Sequence, residues 1–175
     1  MDPLLEATEQ IREFLERGGD VLLLILLLVF LLWILIFERL VYYRVGHNRL
    51  EQQVVDRWEA RPERVSRAAH DVRTSYISEV KEALRRNLPM IKSIIAVAPL
   101  FGLLGTVTGM VEVFDVMAAM GTGSARAMAS GISKATIPTM AGMVAALTGL
   151  LGINILERME RVRRARIEAR LTFDH

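Results

Sequence analysis

Three stretches of the chain carry no charged side chain and are long enough to cross a bilayer as helix. Asp20 and Glu38 bracket seventeen uncharged residues, Lys92 and Glu112 nineteen, and Lys134 and Glu157 twenty-two. A bilayer core takes about 17–25 apolar residues as helix, and inside lipid a backbone must satisfy its own polar groups. The expected fold class is therefore all-α: a polytopic membrane protein with transmembrane helices at 21–37, 93–111 and 135–156, extended by long helices outside the membrane. The first run, VLLLILLLVFLLWILIF, follows an acidic amphipathic lead, LLEATEQIREFLERGGD. A cleaved signal would open on basic residues and close on a small-residue cleavage site, so this span is expected to be retained.

Basic residues outside the spans set the orientation, because they stay with the cytoplasm. Residues 1–20 hold two basic and six acidic side chains, 38–92 twelve and eight, 112–134 two and two, and 157–175 six and four. The expected layout follows. Residues 1–20 form a periplasmic amphipathic helix, 38–92 a cytoplasmic helical region, 112–134 a short periplasmic loop and 157–175 a cytoplasmic C-terminal helix. Within 38–92, Val54, Trp58, Val65, Ala69, Val72, Tyr76, Val80 and Leu84 recur at helical steps, with a gap across Pro62 that splits the region into two helices. The tail repeats Ile155, Met159, Val162 and, less regularly, Ile167. Such stripes need cover, from neighbouring helices or from lipid headgroups.

Composition closes other routes. There are no cysteines, the three histidines are scattered, and aromatics are only 6% of residues. Disulfides and thiolate metal sites are excluded, no cofactor or metal is expected, and a net charge of +2 argues against nucleic acid. No carboxylate pair, nucleophile set or phosphate loop stands out, so an enzyme is not expected. The glycines of GTGSAR read as a flexible turn.

The later two spans differ from the first, which has no small residues and looks lipid-facing. Ala98, Gly102, Gly105, Thr106 and Gly109 share one side of the second span, with Pro99 beside them; Ala135, Thr139, Gly142, Ala146 and Gly149 share one side of the third, with Pro138 near its start. Small stripes let helix backbones approach closely in lipid. They can pair within one subunit, or face a common lumen in a symmetric ring with the first span outside. The hydroxyls of Thr106 and Thr139 on the small sides favour the ring.

The stretch APLFGLLGTVTGMVEVFDVMAAMGTGSARAMASGISKATIPTMAGMVAAL resembles the signature core of the ExbB, TolQ and MotA family, over positions 91 to about 155. Three spans with an outer N-terminus are most similar to ExbB and TolQ, and the compact chain to small ExbB-like subunits of accessory TonB systems. The resemblance implies a homopentameric ring in the inner membrane around a dimer of a single-span ExbD-like partner, which carries a membrane-embedded aspartate. It also implies proton-driven work passed to a TonB-like protein. Carried over by position, Thr106, Thr136, Thr139 and Lys134 belong to the ion path, and Pro99, Gly102, Gly105, Gly109 and Gly142 to the packing frame. Lys134 departs from the glutamate found at that place in the best-known ExbB proteins. It is expected at the outer mouth, as a fixed positive charge or facing an acid of the partner, and not as a proton carrier. A TolQ-like envelope subunit, a flagellar-stator-like subunit and a passive scaffold are the competing readings.

Overall fold

The computed structural model describes residues 3–64, 66–120 and 125–171, with the side chains of 3–18, 47–48, 120 and 125–127 set aside. Among these residues every regular element is helical: α1 (Pro3–Val41), a π-helical turn (Tyr42–Gly46), α2 (His47–Glu59), α3 (Arg67–Arg85), α4 (Leu88–Met120) and α5 (Ala125–Arg170). Three of these helical stretches are long and apolar enough to cross a membrane. The amphipathic character expected for 1–20, the turn expected over 121–124, Val65 of the expected stripe and the tail beyond 171 lie outside what is described.

The helices outrun the apolar runs that betrayed them. α1 begins well before residue 21 and is interrupted at Gly19, whose φ of 66° and ψ of −170° no side-chain-bearing residue adopts without strain. Residues 112–120 and 125–134, expected as loop, continue α4 and α5. Pro138 consequently sits deep inside α5 and not in its first turn.

The chain divides into two compact units, one of Met1–Trp33 with Ser93–Leu150 and one of Ile34–Lys92 with Leu151–His175. In the first unit, Ile25, Ala98 and Ala145 form a buried core with Val21, Val29, Phe101 and Ala141 packed against it. The first span is less purely lipid-facing than its sequence suggests: Leu22, Ile25 and Leu32 are buried, while Leu23, Leu27 and Phe30 are exposed. Leu32 and Ile95 fill the space that a side chain at Gly149 would need.

In the second unit, Pro62 falls between α2 and α3, as expected of a residue that cannot continue a helix. Ser66 caps α3, its hydroxyl accepting the Ala69 amide at 3.2 Å. Val54, Trp58, Ala69, Val80 and Leu84 are buried, bearing out that stripe. The tail stripe is different. Ile155 and Val162 are exposed, and the buried face runs through Ile153, Leu156, Glu160, Ile167 and Leu171. A carboxylate at Glu160, paired with Arg85 at 3.8 Å, interrupts the apolar pattern and hides the true face from a periodicity reading. Arg39, also buried, donates to the Ala83 carbonyl at 3.1 Å, and the Tyr43 hydroxyl donates to the Leu84 carbonyl at 2.7 Å. These carbonyls end α3, where helical amide partners run out. At the end of α5, Arg73 does the same for the Glu168 and Leu171 carbonyls, at 2.9 and 2.6 Å.

Candidate functional site

Glycine spacing decides how α4 and α5 meet. The two helices run antiparallel and mesh through their small faces. A Cβ built on Gly102 lies 2.9 Å from the Thr139 Cα, one on Gly109 lies 2.7 Å from the Ala135 Cα, and one on Gly142 lies 2.6 Å from the Ala98 carbonyl oxygen. The obstacles are backbone atoms, so only hydrogen fits without parting the helices. The Pro138 ring packs over Gly105. The packing frame expected at Gly102, Gly105, Gly109 and Gly142 is thus formed within a single chain. The glycines of these faces are occupied by the contact between α4 and α5, while Thr106 and Thr139 beside it remain half-buried.

The hydroxyls have a common arrangement. Thr139 donates across the seam to the Gly102 carbonyl at 2.9 Å. Thr106 donates to the Leu103 carbonyl at 2.6 Å, Thr108 to the Leu104 and Gly105 carbonyls at 3.1 Å each, and Thr136 to the Ile132 and Ser133 carbonyls at 3.2 and 3.1 Å. A hydroxyl has one proton to donate and two lone pairs. With the proton committed to backbone, each oxygen is left as an acceptor, able to receive a hydrogen bond from water or hydronium. Thr139 bridges two helices and is half-buried at the seam, as Thr106 is half-buried beside it; Thr136 is exposed on the outer side of α5, and Pro99 is half-buried.

The charges that delimit the two apolar runs pair off. The Lys134 ammonium lies 2.8 Å from the Glu112 carboxylate, and Lys92 pairs with Glu157. Lys134 is therefore neutralised inside its own chain. Glu112 was not singled out from sequence, though the register could have found it: with Gly109 against Ala135, the next turn of α4 reaches Lys134. Lys134 and Glu112, with Asp20, Val21 and Thr108, line a cavity of about 140 Å³. Outside this cavity, the exposed faces of the two helices are apolar: Leu100, Leu103, Val107 and Phe114 on α4, and Met140, Val144 and Leu147 on α5.

Comparison with known proteins gives a consistent result. The sequence model of the MotA/TolQ/ExbB proton channel family matches residues 43–169. A putative biopolymer transport protein, ExbB-like 1, of Synechocystis is 44% identical over 80 residues, which cover 44% of this chain and 32% of that protein. A Helicobacter pylori protein of the same name is 27% identical over 162 residues, covering 83% of this chain and 86% of its own. The Tol-Pal system protein TolQ of Pseudomonas aeruginosa is 33% identical over 107 residues, covering 61% and 45%. The chain spans about a third of the length of the Synechocystis relative.

Proposed function

The chain belongs to the MotA/TolQ/ExbB proton channel family, and on that premise we propose that it is the ring-forming subunit of a proton-driven inner-membrane motor. It works with an ExbD-like partner to couple the proton motive force to TonB-dependent outer-membrane transport. The observation that carries this reading is chemical. The runs 93–111 and 135–156 hold the hydroxyls of Thr106, Thr108, Thr136 and Thr139 but no carboxylate. These two runs supply hydrogen-bond acceptors and no carboxylate, so within them the group that takes up and releases the proton comes from a second chain. Acceptor-only oxygens suit a hydronium or sodium ion and disfavour an anion. Lys134, paired with Glu112, is a fixed charge and no proton carrier.

The expected assembly is a homopentamer with an ExbD-like single-span dimer in its lumen. The N-terminus and the 112–134 segment are periplasmic, the 38–92 region and C-terminus cytoplasmic, and a TonB-like protein receives the work. The exposed apolar faces of α4 and α5 supply surface for lipid and for neighbouring copies. A TolQ-like role in envelope maintenance is the second reading, supported by the TolQ relatives; a flagellar-stator-like role is the third.

The test is proton flux into vesicles holding the full chain with its single-span neighbour. Flux should require both chains and fall about tenfold in Thr106→Val with Thr139→Val, as expected for roughly 1.4 kcal/mol at the barrier. Thr139→Ser, which keeps the hydroxyl, should stay near native. Undiminished flux in the double valine variant would end the hydroxyl-path reading. Mass measurement of the intact complex gives the subunit count, and replacement of TonB-like or TolA-like neighbours separates the first two roles.

A further inference from the structure

One cavity lies where the apolar runs of α1, α4 and α5 stop, at Asp20, Glu112 and Lys134. We infer that it is a hydrated, cation-selective inlet inside each subunit, separate from any lumen between subunits. Its rim is Asp20 on α1, Glu112 on α4 and Lys134 on α5, and its volume is about 140 Å³. That is room for several waters, and the lining gives them polar partners. From Glu112 the cavity reaches Gly105, seven residues deeper along α4, or about 10 Å of helix. Val21 stands beside that floor, 3.3 Å from where a Cβ on Gly105 would be. Thr108, itself an exposed residue, lines the wall between rim and floor. Its hydroxyl proton is held by the Leu104 and Gly105 carbonyls, so toward the cavity its oxygen only accepts.

The charge of the rim sets the selectivity. Among the described residues, two carboxylates and one ammonium leave a net negative mouth. Lys134 is held on Glu112 at 2.8 Å, and among the described residues no cation is paired with Asp20. The Gly19 kink, with φ of 66°, lies at this rim and turns the chain beside Asp20. A small monovalent cation is drawn to such a mouth, and an anion is repelled. The contrast with the surrounding surface is sharp: one residue from Thr108, Val107 is 56% exposed on an apolar face.

Because the natural chain has no cysteine, single cysteines report the inlet directly. The full chain in native membranes is labelled with thiosulfonate reagents carrying either an ethylammonium or an ethylsulfonate group. Asp20→Cys probes the rim, Thr108→Cys and Val21→Cys the interior, and Val107→Cys and Leu23→Cys the apolar faces. The interior probes should react within about tenfold of the rim probe and far faster than the apolar-face probes. The cationic reagent should outpace the anionic one about tenfold at Thr108→Cys, in the range of electrostatic focusing by a charged cleft. Lys134→Gln should raise that preference, and Asp20→Asn with Glu112→Gln should abolish or reverse it. Interior probes as inert as Val107→Cys, with the rim probe reactive, overturn the inlet; equal rates with both reagents overturn its selectivity. Labelling needs no proton flux, so the result is independent of whether the assembled complex conducts.

Discussion

Gly102→Ala should separate α4 from α5 and break the Thr139 hydrogen bond in one step. The added methyl carbon would lie 2.9 Å from the Thr139 Cα and 3.0 Å from the Pro138 carbonyl oxygen. Ordinary contact begins near 3.4 Å, and neither obstacle is a movable side chain, so the backbones must part by about half an ångström. The same shift stretches the Thr139–Gly102 bond from 2.9 Å past the roughly 2.5–3.0 Å range of O–H···O bonds. Overpacking costs about 1–3 kcal/mol, and an interhelical bond in lipid adds about 0.6 kcal/mol, at most near 1.7. Gly102→Ala should therefore cost roughly 2–4 kcal/mol and Thr139→Val about 1 kcal/mol or less. The sharper claim is non-additivity. Once the alanine has opened the seam, Thr139→Val has little left to remove, so the double variant should be about as stable as Gly102→Ala alone. The assay is reversible unfolding of the purified protein in mixed micelles, followed by loss of helix. Costs that simply sum, or an alanine no more damaging than the valine, would refute the backbone contact.

Lys134→Glu places like charges at a 2.8 Å contact. With the side chains 38% and 57% exposed, the loss should stay under about 1 kcal/mol, and adding Glu112→Lys should recover it in the same unfolding assay; no recovery in the swapped pair removes the ion pair as a stabilising element. Tyr43→Phe deletes the hydroxyl that satisfies the buried Leu84 carbonyl and should cost about 1–2 kcal/mol, read as faster amide exchange over the last turn of α3, with unchanged exchange there as the contrary result.

The apolar runs were legible because lipid tolerates so few charges that two bracketing charges outline each one. The break at Pro62 was legible for an equally local reason, a missing amide. What sequence left open was direction. A small stripe serves equally for a partner in the same chain or in another, and only the antiparallel register shows that Gly102 meets Thr139. The Lys134–Glu112 pair was hidden for the same cause, since 22 positions separate its members. The ends of α4 and α5 were misplaced because polar residues near the interface, such as Glu112 and Ser133, interrupt hydrophobicity without interrupting helix. Arg39 and Glu160 are not singled out by any sequence pattern; their burial depends on which helix ends arrive beside them. The division between Thr139 on the seam and Thr136 on the exposed surface required coordinates.

Backbone contact between α4 and α5 also limits how the protein can work. Two helices touching through Cα atoms and a proline ring have no slack for sliding or turning past each other, since a shift of one residue would drive Thr139 or Pro138 into a neighbouring α4 side chain. The pair therefore travels as one body. Conformational change in this part of the chain is therefore taken up outside the seam, at surfaces that do not pack backbone on backbone.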